Sequence, residues 1–499
     1  MKTIPYALTL IAFAFTLQAQ PPVVHSRIGQ TATSARNEIT ITNIGKKQQF
    51  DWRDKATLDT DVFSPKSVNF LPNGSKYYVN SLEGCATVVY KTDNNEKIKV
   101  IRHRFNSGTG PLWATPAGIY KFTHYPDGNS RAFSGKPVEG TFSHGGRYLW
   151  VPYYRRTFDI NAQDPSALAI IDTQADSIVR MMETGPLPKM IACSHDNSTI
   201  AVTHWGNNTV GLIDITASDP TKWHHVTYIA VDHELQLNFS LTSEVNRDAH
   251  SGLMLRGTVF TPDDHYLLVG CMGGGGIAVI DLKNKKYMGK IGGISNARHL
   301  IINNGYLYAS VNAAGLVQRA PFDKVMKTIS RLGSGNVQSI EGGWQVCRVG
   351  GGARTIEASP SGRWVFAACN SASALYVIDT RTMTVATQIP VDSYPVGLDI
   401  SRDGHMLVVT SQARNYHGGN AVNLYKVEYA DEAAEAEAVA KTTQAHDSIA
   451  NAPNADNDNT SAPAKSFMGL KTEHWPIAAL IGIVAVAIIV FIIRNIRRR

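Results

Sequence analysis

Short runs of alternating apolar and polar residues, each five to seven positions long, fill the chain from about residue 62 to residue 428. Successive residues of a strand point to opposite faces, so this period of two predicts strands. Turn residues break the runs every eight to twelve positions. That leaves no room for crossover helices, and the pattern predicts antiparallel sheet throughout.

The runs repeat. Pro395-Val-Gly-Leu-Asp-Ile-Ser-Arg-Asp-Gly404 leads into His-Met-Leu-Val-Val-Thr, and Ala353–Gly362 leads into Arg-Trp-Val-Phe-Ala-Ala-Cys-Asn and then Ala374-Leu-Tyr-Val-Ile-Asp379-Thr. Pro188–Asn197 and Leu255–Asp264 begin two further copies, ending in Val210-Gly-Leu-Ile-Asp214 and Ile277-Ala-Val-Ile-Asp281, and weaker copies start at Pro65, Pro137 and Ala297. Each copy reads as four strands. One such sheet cannot cover both of its faces, so stacked copies must supply the core. Seven copies predict an all-β, seven-bladed β-propeller over residues 62–429, because closing the ring protects the sheet edges. Ile39–Ile44, in the N-terminal segment 20–61, alternates in the same way and predicts a strand added to the final blade.

The ends read differently. Lys2, the apolar run Ala7–Leu17 and Ala19 predict a secretory signal peptide over residues 1–19. Residues 473–493 contain an uncharged stretch from Trp475 to Ile493, long enough for one transmembrane helix, and four arginines lie in the tail 494–499. The positive-inside rule puts that tail in the cytoplasm and the propeller on the periplasmic or extracellular side of the cytoplasmic membrane. Residues 430–472 are rich in Ala, Asp, Glu, Asn, Ser, Thr and Pro and predict a disordered tether, with a short helix over Asp431–Lys441. Five cysteines, an odd number, argue against a disulfide framework and for small buried side chains.

The strings Ala374-Leu-Tyr-Val-Ile-Asp379-Thr, Thr384-Val to Ile389-Pro, Pro395-Val-Gly397 and Ser401-Arg-Asp-Gly404 resemble the YVTN β-propeller repeat family, and Tyr77-Tyr-Val-Asn80 matches its tetrad in part. The resemblance covers about residues 62–428. It implies a seven-bladed extracytoplasmic propeller without implying an activity, since that family holds surface and binding proteins and lies near lactonases and haem-d1 domains.

Aligning the copies exposes one column with a chemical bias. The residue after the start of each copy is Lys66, Val138, Lys189, Arg256, Arg298, Arg354 or Val396. Five of the seven are basic, although Lys and Arg make up only 48 of 499 residues and a random column would hold fewer than one. In a propeller this column sits at the entry to the innermost strands, so five cations converge on one channel mouth. Like charges repel, and the pattern points to an anion site. Loops after the second strands add Tyr154, Arg155, His204 and Trp205 to the same face. Insertions at 104–136, 231–252 and 332–352, read as links between last and first strands, extend it.

These residues predict a binding or scaffold module for an anionic small molecule or glycan, or for an envelope protein. Nucleic acid is not expected outside the cytoplasm, and the sequence does not indicate an oligomeric state. A propeller hydrolase of lactonase type is the alternative, with Glu139, His299 and Glu357 as acid and base groups. A third reading, haem-d1 or quinone binding, would use His103, His204 or His299 as an axial group. There is no CxxCH, no metal-ligand spacing and no nucleophile elbow, so no cofactor and no metal are predicted. Gly273–Gly276 lacks the following helix and lysine of a phosphate loop and reads as a tight turn. Asp172, Asp214, Asp281 and Asp379 read as turn residues between third and fourth strands.

Overall fold

The computed structural model describes residues 22–50, 55–113, 119–122, 132–236, 246–413 and 418–450. The proposed signal peptide at 1–19, the span at 473–493 and the tail at 494–499 lie outside the described residues. Among those described, no helix is long and apolar enough to cross a membrane.

Seven sheets, antiparallel apart from one added edge strand, follow one another along the described residues and form a seven-bladed β-propeller. Blade one is Pro65–Phe70, Lys76–Ser81, Ala86–Lys91 and Lys97–Arg102, and blades three, four and six repeat this order from Pro188, Leu255 and Ala353. Blade two is less regular. Its second strand, Tyr148–Arg156, pairs inward with both Phe133–Pro137 and Thr141–Ser143. In blade seven, Pro395–Ile400, Met406–Ser411 and Ala421–Tyr429 are completed by the N-terminal strand Ile39–Gln48, paired from Ile39 opposite Tyr429 to Gln48 opposite Ala421. The two ends of the propeller are therefore fastened by main-chain hydrogen bonds. Behind that strand, buried Asp392 pairs with Lys46 at 3.1 Å and accepts the Ser26 hydroxyl at 2.7 Å.

The core is divided among the spaces between blades. Alternate residues of each middle strand serve opposite neighbours. In blade seven, Leu407 and Val409 pack with Phe366 and Val377 of blade six, while Met406 and Val408 pack with Tyr77 and Val88 of blade one. Each neighbouring pair of blades shares such a cluster, and this is why the two-residue period has to persist through every copy.

Blade five corrects one reading. Residues 332–352 are not a loop between blades. A helix, Phe322–Ile329, follows the third strand and buries Val325, Thr328 and Ile329, so the blade's fourth strand is delayed to Gln345–Arg348. Within the same stretch, Asn336–Gln338 adds a parallel strand to the outer edge of blade four. The segment thus lies on outer sheet edges and not at the channel mouth.

The predicted turn residues behave as such. The carboxylate of Asp172 accepts the Gln174 amide at 2.9 Å, and that of Asp379 accepts the Arg381 amide at 2.8 Å. Gly273–Gly276 lies in the turn between Tyr266–Cys271 and Ile277–Asp281, with Gly275 and Gly276 at positive φ. All five cysteines are free thiols, four of them buried. After the propeller, a helix runs over Glu432–Ala450, longer than the predicted Asp431–Lys441, and its first turn is docked. Glu435 is buried and accepts the Ser361 amide at 2.8 Å and the Ser361 hydroxyl at 2.5 Å, which holds the chain against a turn of blade six.

Candidate functional site

The basic column coincides with a break in strand pairing. In blade one, Pro65 lies opposite Ser81 and Ser67 opposite Asn80, so Lys66 is an extra residue in the ladder. The same shift brackets Lys189, Arg256, Arg298, Arg354 and Val396. A β-bulge re-aims a side chain that a regular strand would send between the blades. Here it turns Lys66, Lys189, Arg256, Arg298 and Arg354 into one cavity. The bulge also displaces a carbonyl, and the preceding blade satisfies it. The Thr410 hydroxyl donates to Lys66 O at 3.1 Å, Ser310 to Arg354 O at 2.5 Å, and Thr355 to Val396 O at 2.7 Å. Two glycines beside the bulges permit this approach. A Cβ on Gly397 would lie 2.5 Å from Lys66 O, and one on Gly257 would lie 2.8 Å from Arg298 O.

The five cations line one cavity of about 860 Å³, together with Tyr154, Arg155 and Trp205. Lys136, Glu83, Asp248 and Tyr394 complete its charged and aromatic wall. The ion pairs within it are specific. Lys136 meets Glu83 at 2.6 Å, Lys189 meets Asp248 at 2.8 Å, and Arg256 meets Glu139 at 2.5 Å. Lys66, Arg155, Arg298 and Arg354 have no carboxylate partner among the described residues. The Nε atoms of Arg155, Arg298 and Arg354 are buried with no hydrogen-bond acceptor. The Arg354 guanidinium lies 5.7 Å from the Tyr394 ring centre.

Crowding marks the electrostatics. Burial, reinforced by Arg354, Arg256 and Arg298, holds the Lys66 amine well below the usual lysine range. Burial pushes Lys189 down to about 7, against the pull of Asp248. Its ammonium lies 4.0 Å from the Tyr154 ring centre and 4.8 Å from that of Trp205, so these aromatic faces already hold a cation. Burial and the neighbouring Arg256 lower Arg354 to about 10. Burial opposes the Glu139 charge, but Arg256, Lys66, His299 and Arg354 outweigh it and keep that carboxyl below its ordinary value.

Several candidates fall elsewhere. His204 is fully buried inside blade three, with Nε2 2.7 Å from the Thr184 hydroxyl and Nδ1 2.8 Å from that of Thr209. It braces the sheet, and only its neighbour Trp205 reaches the cavity. His103 is likewise buried between Thr87 and Tyr153, and burial pushes it down to about 3. Neither histidine faces the axis as an axial group would. Glu139, His299 and Glu357 are not among the cavity-lining residues. His299 is pushed down to about 4 by burial, and its Nδ1 lies 3.5 Å from the Ile356 amide. Glu357 and Asp399 stand three residues beyond the bulge positions of blades six and seven, close enough to repel. Burial raises Glu357 to about 7; burial and then the Glu357 charge raise Asp399 to about 8. Of the inserted loops, 104–136 contributes Lys136 and the 231–252 segment contributes Asp248. Trp113, by contrast, packs with Phe105, Phe122 and Phe133 in the core between blades one and two.

No protein-family model matches the chain, and no curated protein matches it. Among solved structures it is similar to Kuenenia stuttgartiensis hydrazine synthase, with 12% identity and a TM-score of 0.49 over 76% of this chain and 99% of that one. It is also similar to the β-propeller domain of Cps50 (Swd1) from Myceliophteria thermophila, with 12% identity and a TM-score of 0.47 over 73% of this chain and 97% of that one.

Proposed function

We propose that the chain is a YVTN-type binding propeller, exported and tethered to the cytoplasmic membrane by residues 473–493, that captures an anionic ligand at its basic mouth. The observation that carries this reading is the convergence of Arg155, Arg298 and Arg354 on one cavity, with no carboxylate partner among the described residues. Removing cations from water is costly unless an opposite charge returns the lost solvation, and guanidinium forks suit carboxylate or phosphate oxygens. The cavity's volume is that of a small-molecule site. A hydrolase would need a free acid or base in the cavity. Glu139 is engaged by Arg256, and neither His299 nor Glu357 lines the wall.

The test is calorimetric titration with citrate, inorganic phosphate and a uronic acid at two salt concentrations. Arg298→Ala and Arg354→Ala should each weaken binding by about 1–3 kcal/mol, the cost of a lost charge-assisted contact. Arg381→Ala is the control. Arg381 pairs with Glu38 at 2.6 Å on a turn between the outer strands of blade six and does not line the cavity. Equal losses in all three variants would indicate diffuse attraction, and no binding at low salt would refute the reading.

A further inference from the structure

The aligned positions around the cavity are not evenly charged. Lys66 of blade one stands between blade seven, whose bulged Val396 is buried and does not line the cavity, and blade two, whose Val138 does. Arg256, Arg298 and Arg354 of blades four, five and six occupy the opposite arc. Lys66, with no carboxylate partner among the described residues, therefore shares the cavity wall with Val138 and with three guanidinium groups. Lys189 differs, since Asp248 holds its amine at 2.8 Å.

We propose that Lys66 is a nucleophilic amine that condenses reversibly with the carbonyl carbon of a 2-oxo acid whose carboxylate is held by Arg298 and Arg354. The inference rests on the anion-binding reading of this cavity and adds a covalent step to it. The amine lone pair forms the C–N bond, the carbonyl π pair moves to oxygen and is protonated, and the carbinolamine then loses one water to leave a C=N bond. No oxidant or reductant is required. An amine beside cations and out of water is kept in the neutral, reactive form. An ordinary lysine is neutral in only about one molecule in 2,500 at pH 7. The groups facing Lys66 are Arg354, Arg256 and Arg298, which favour the neutral amine, and Glu139, which opposes it while itself neutralised by Arg256.

The experiment incubates the full-length chain with pyruvate and sodium cyanoborohydride, which traps the imine as a carboxyethyl-lysine, and maps the adducts by peptide mass spectrometry. At pH 7, Lys66 should be labelled at least about tenfold faster than the exposed Lys222 and Lys283. Its rate should change little from pH 7 to 9, whereas the exposed lysines should gain about tenfold per unit. Citrate should protect Lys66, and Lys66→Arg, which replaces the amine by a non-nucleophilic guanidinium, should abolish the fast adduct. If citrate binds calorimetrically but Lys66 reacts no faster than Lys222, the nucleophile is refuted and the anion site stands. If neither citrate binding nor fast labelling is seen, both fall.

Discussion

Replacing Glu357 by Gln removes one of two carboxyl groups that repel each other beside the propeller axis. Glu357 accepts the Ala358 amide through a single oxygen at 3.0 Å, a bond that Gln retains, so the substitution changes charge with little change in shape. The carboxyl is raised from an ordinary 4.5 to about 7, chiefly by burial. The folded state therefore holds a proton that the unfolded chain releases first. This stabilises the protein below the unfolded pKa, and the advantage is lost as pH rises through the folded one. The shift corresponds to about 3 kcal/mol. Glu357 is only partly buried and solvent screens its charge, so about half of that is expected. With an unfolding entropy of about 2.1 cal/mol/K per residue, a body of this size gains about 1–3 °C in Tm. Thermal melts followed by near-UV circular dichroism should show wild type and Glu357→Gln coinciding near pH 4. The curves should separate between about pH 4 and 7, with the variant more stable by a constant margin above about pH 8. A difference of the same size at pH 4 and pH 9, or a variant less stable at pH 9, would refute the argument.

Deleting residues 39–48 strips blade seven of its fourth strand and exposes the edge of Ala421–Tyr429. The whole propeller, not one blade, should then melt at lower temperature in a single scanning-calorimetry transition. Arg256→Ala leaves Glu139 buried without its 2.5 Å partner, and chemical denaturation should register a loss of about 3–5 kcal/mol. That loss should be smaller in the double variant Arg256→Ala, Glu139→Gln.

Much of the fold was legible because its physical cause recurs. Every blade must feed two neighbouring cores, so the alternation of residues such as Met406, Leu407, Val408 and Val409 could not lapse anywhere in the ring. The basic column was legible for the same reason, since in-register copies put chemically equivalent positions in one column. What was not legible belongs to pairing. A bulge is a relation between two strands, and nothing in Pro65-Lys66-Ser67 read alone marks Lys66 as the extra residue. The delayed fourth strand of blade five was hidden by the helix Phe322–Ile329, which displaced Gln345–Arg348 beyond the usual spacing. His204 and Trp205 are adjacent in sequence, yet one closes a buried hydrogen-bond network and the other reaches the cavity. Only the end of the strand at His204, after which the chain turns, distinguishes them. Asp248, Tyr394 and the Glu357–Asp399 pair were missed because distant parts of the chain bring them to their neighbours, and each is unremarkable in its own segment.

The bulges also separate two jobs that most strands must combine. A residue in a regular ladder is bound to the packing of the blade interface, so its identity is constrained by volume. A bulged residue is released from that duty, and its carbonyl is anchored by the neighbouring blade whatever side chain it carries. The mouth therefore behaves as a ring of interchangeable fittings on a fixed frame. Lysine, arginine and valine already occupy equivalent stations without altering the blades that bear them. Except where a bulged residue closes a buried ion pair, as Arg256 does with Glu139, drift at these positions can alter what the ring holds while leaving the blade interfaces untouched.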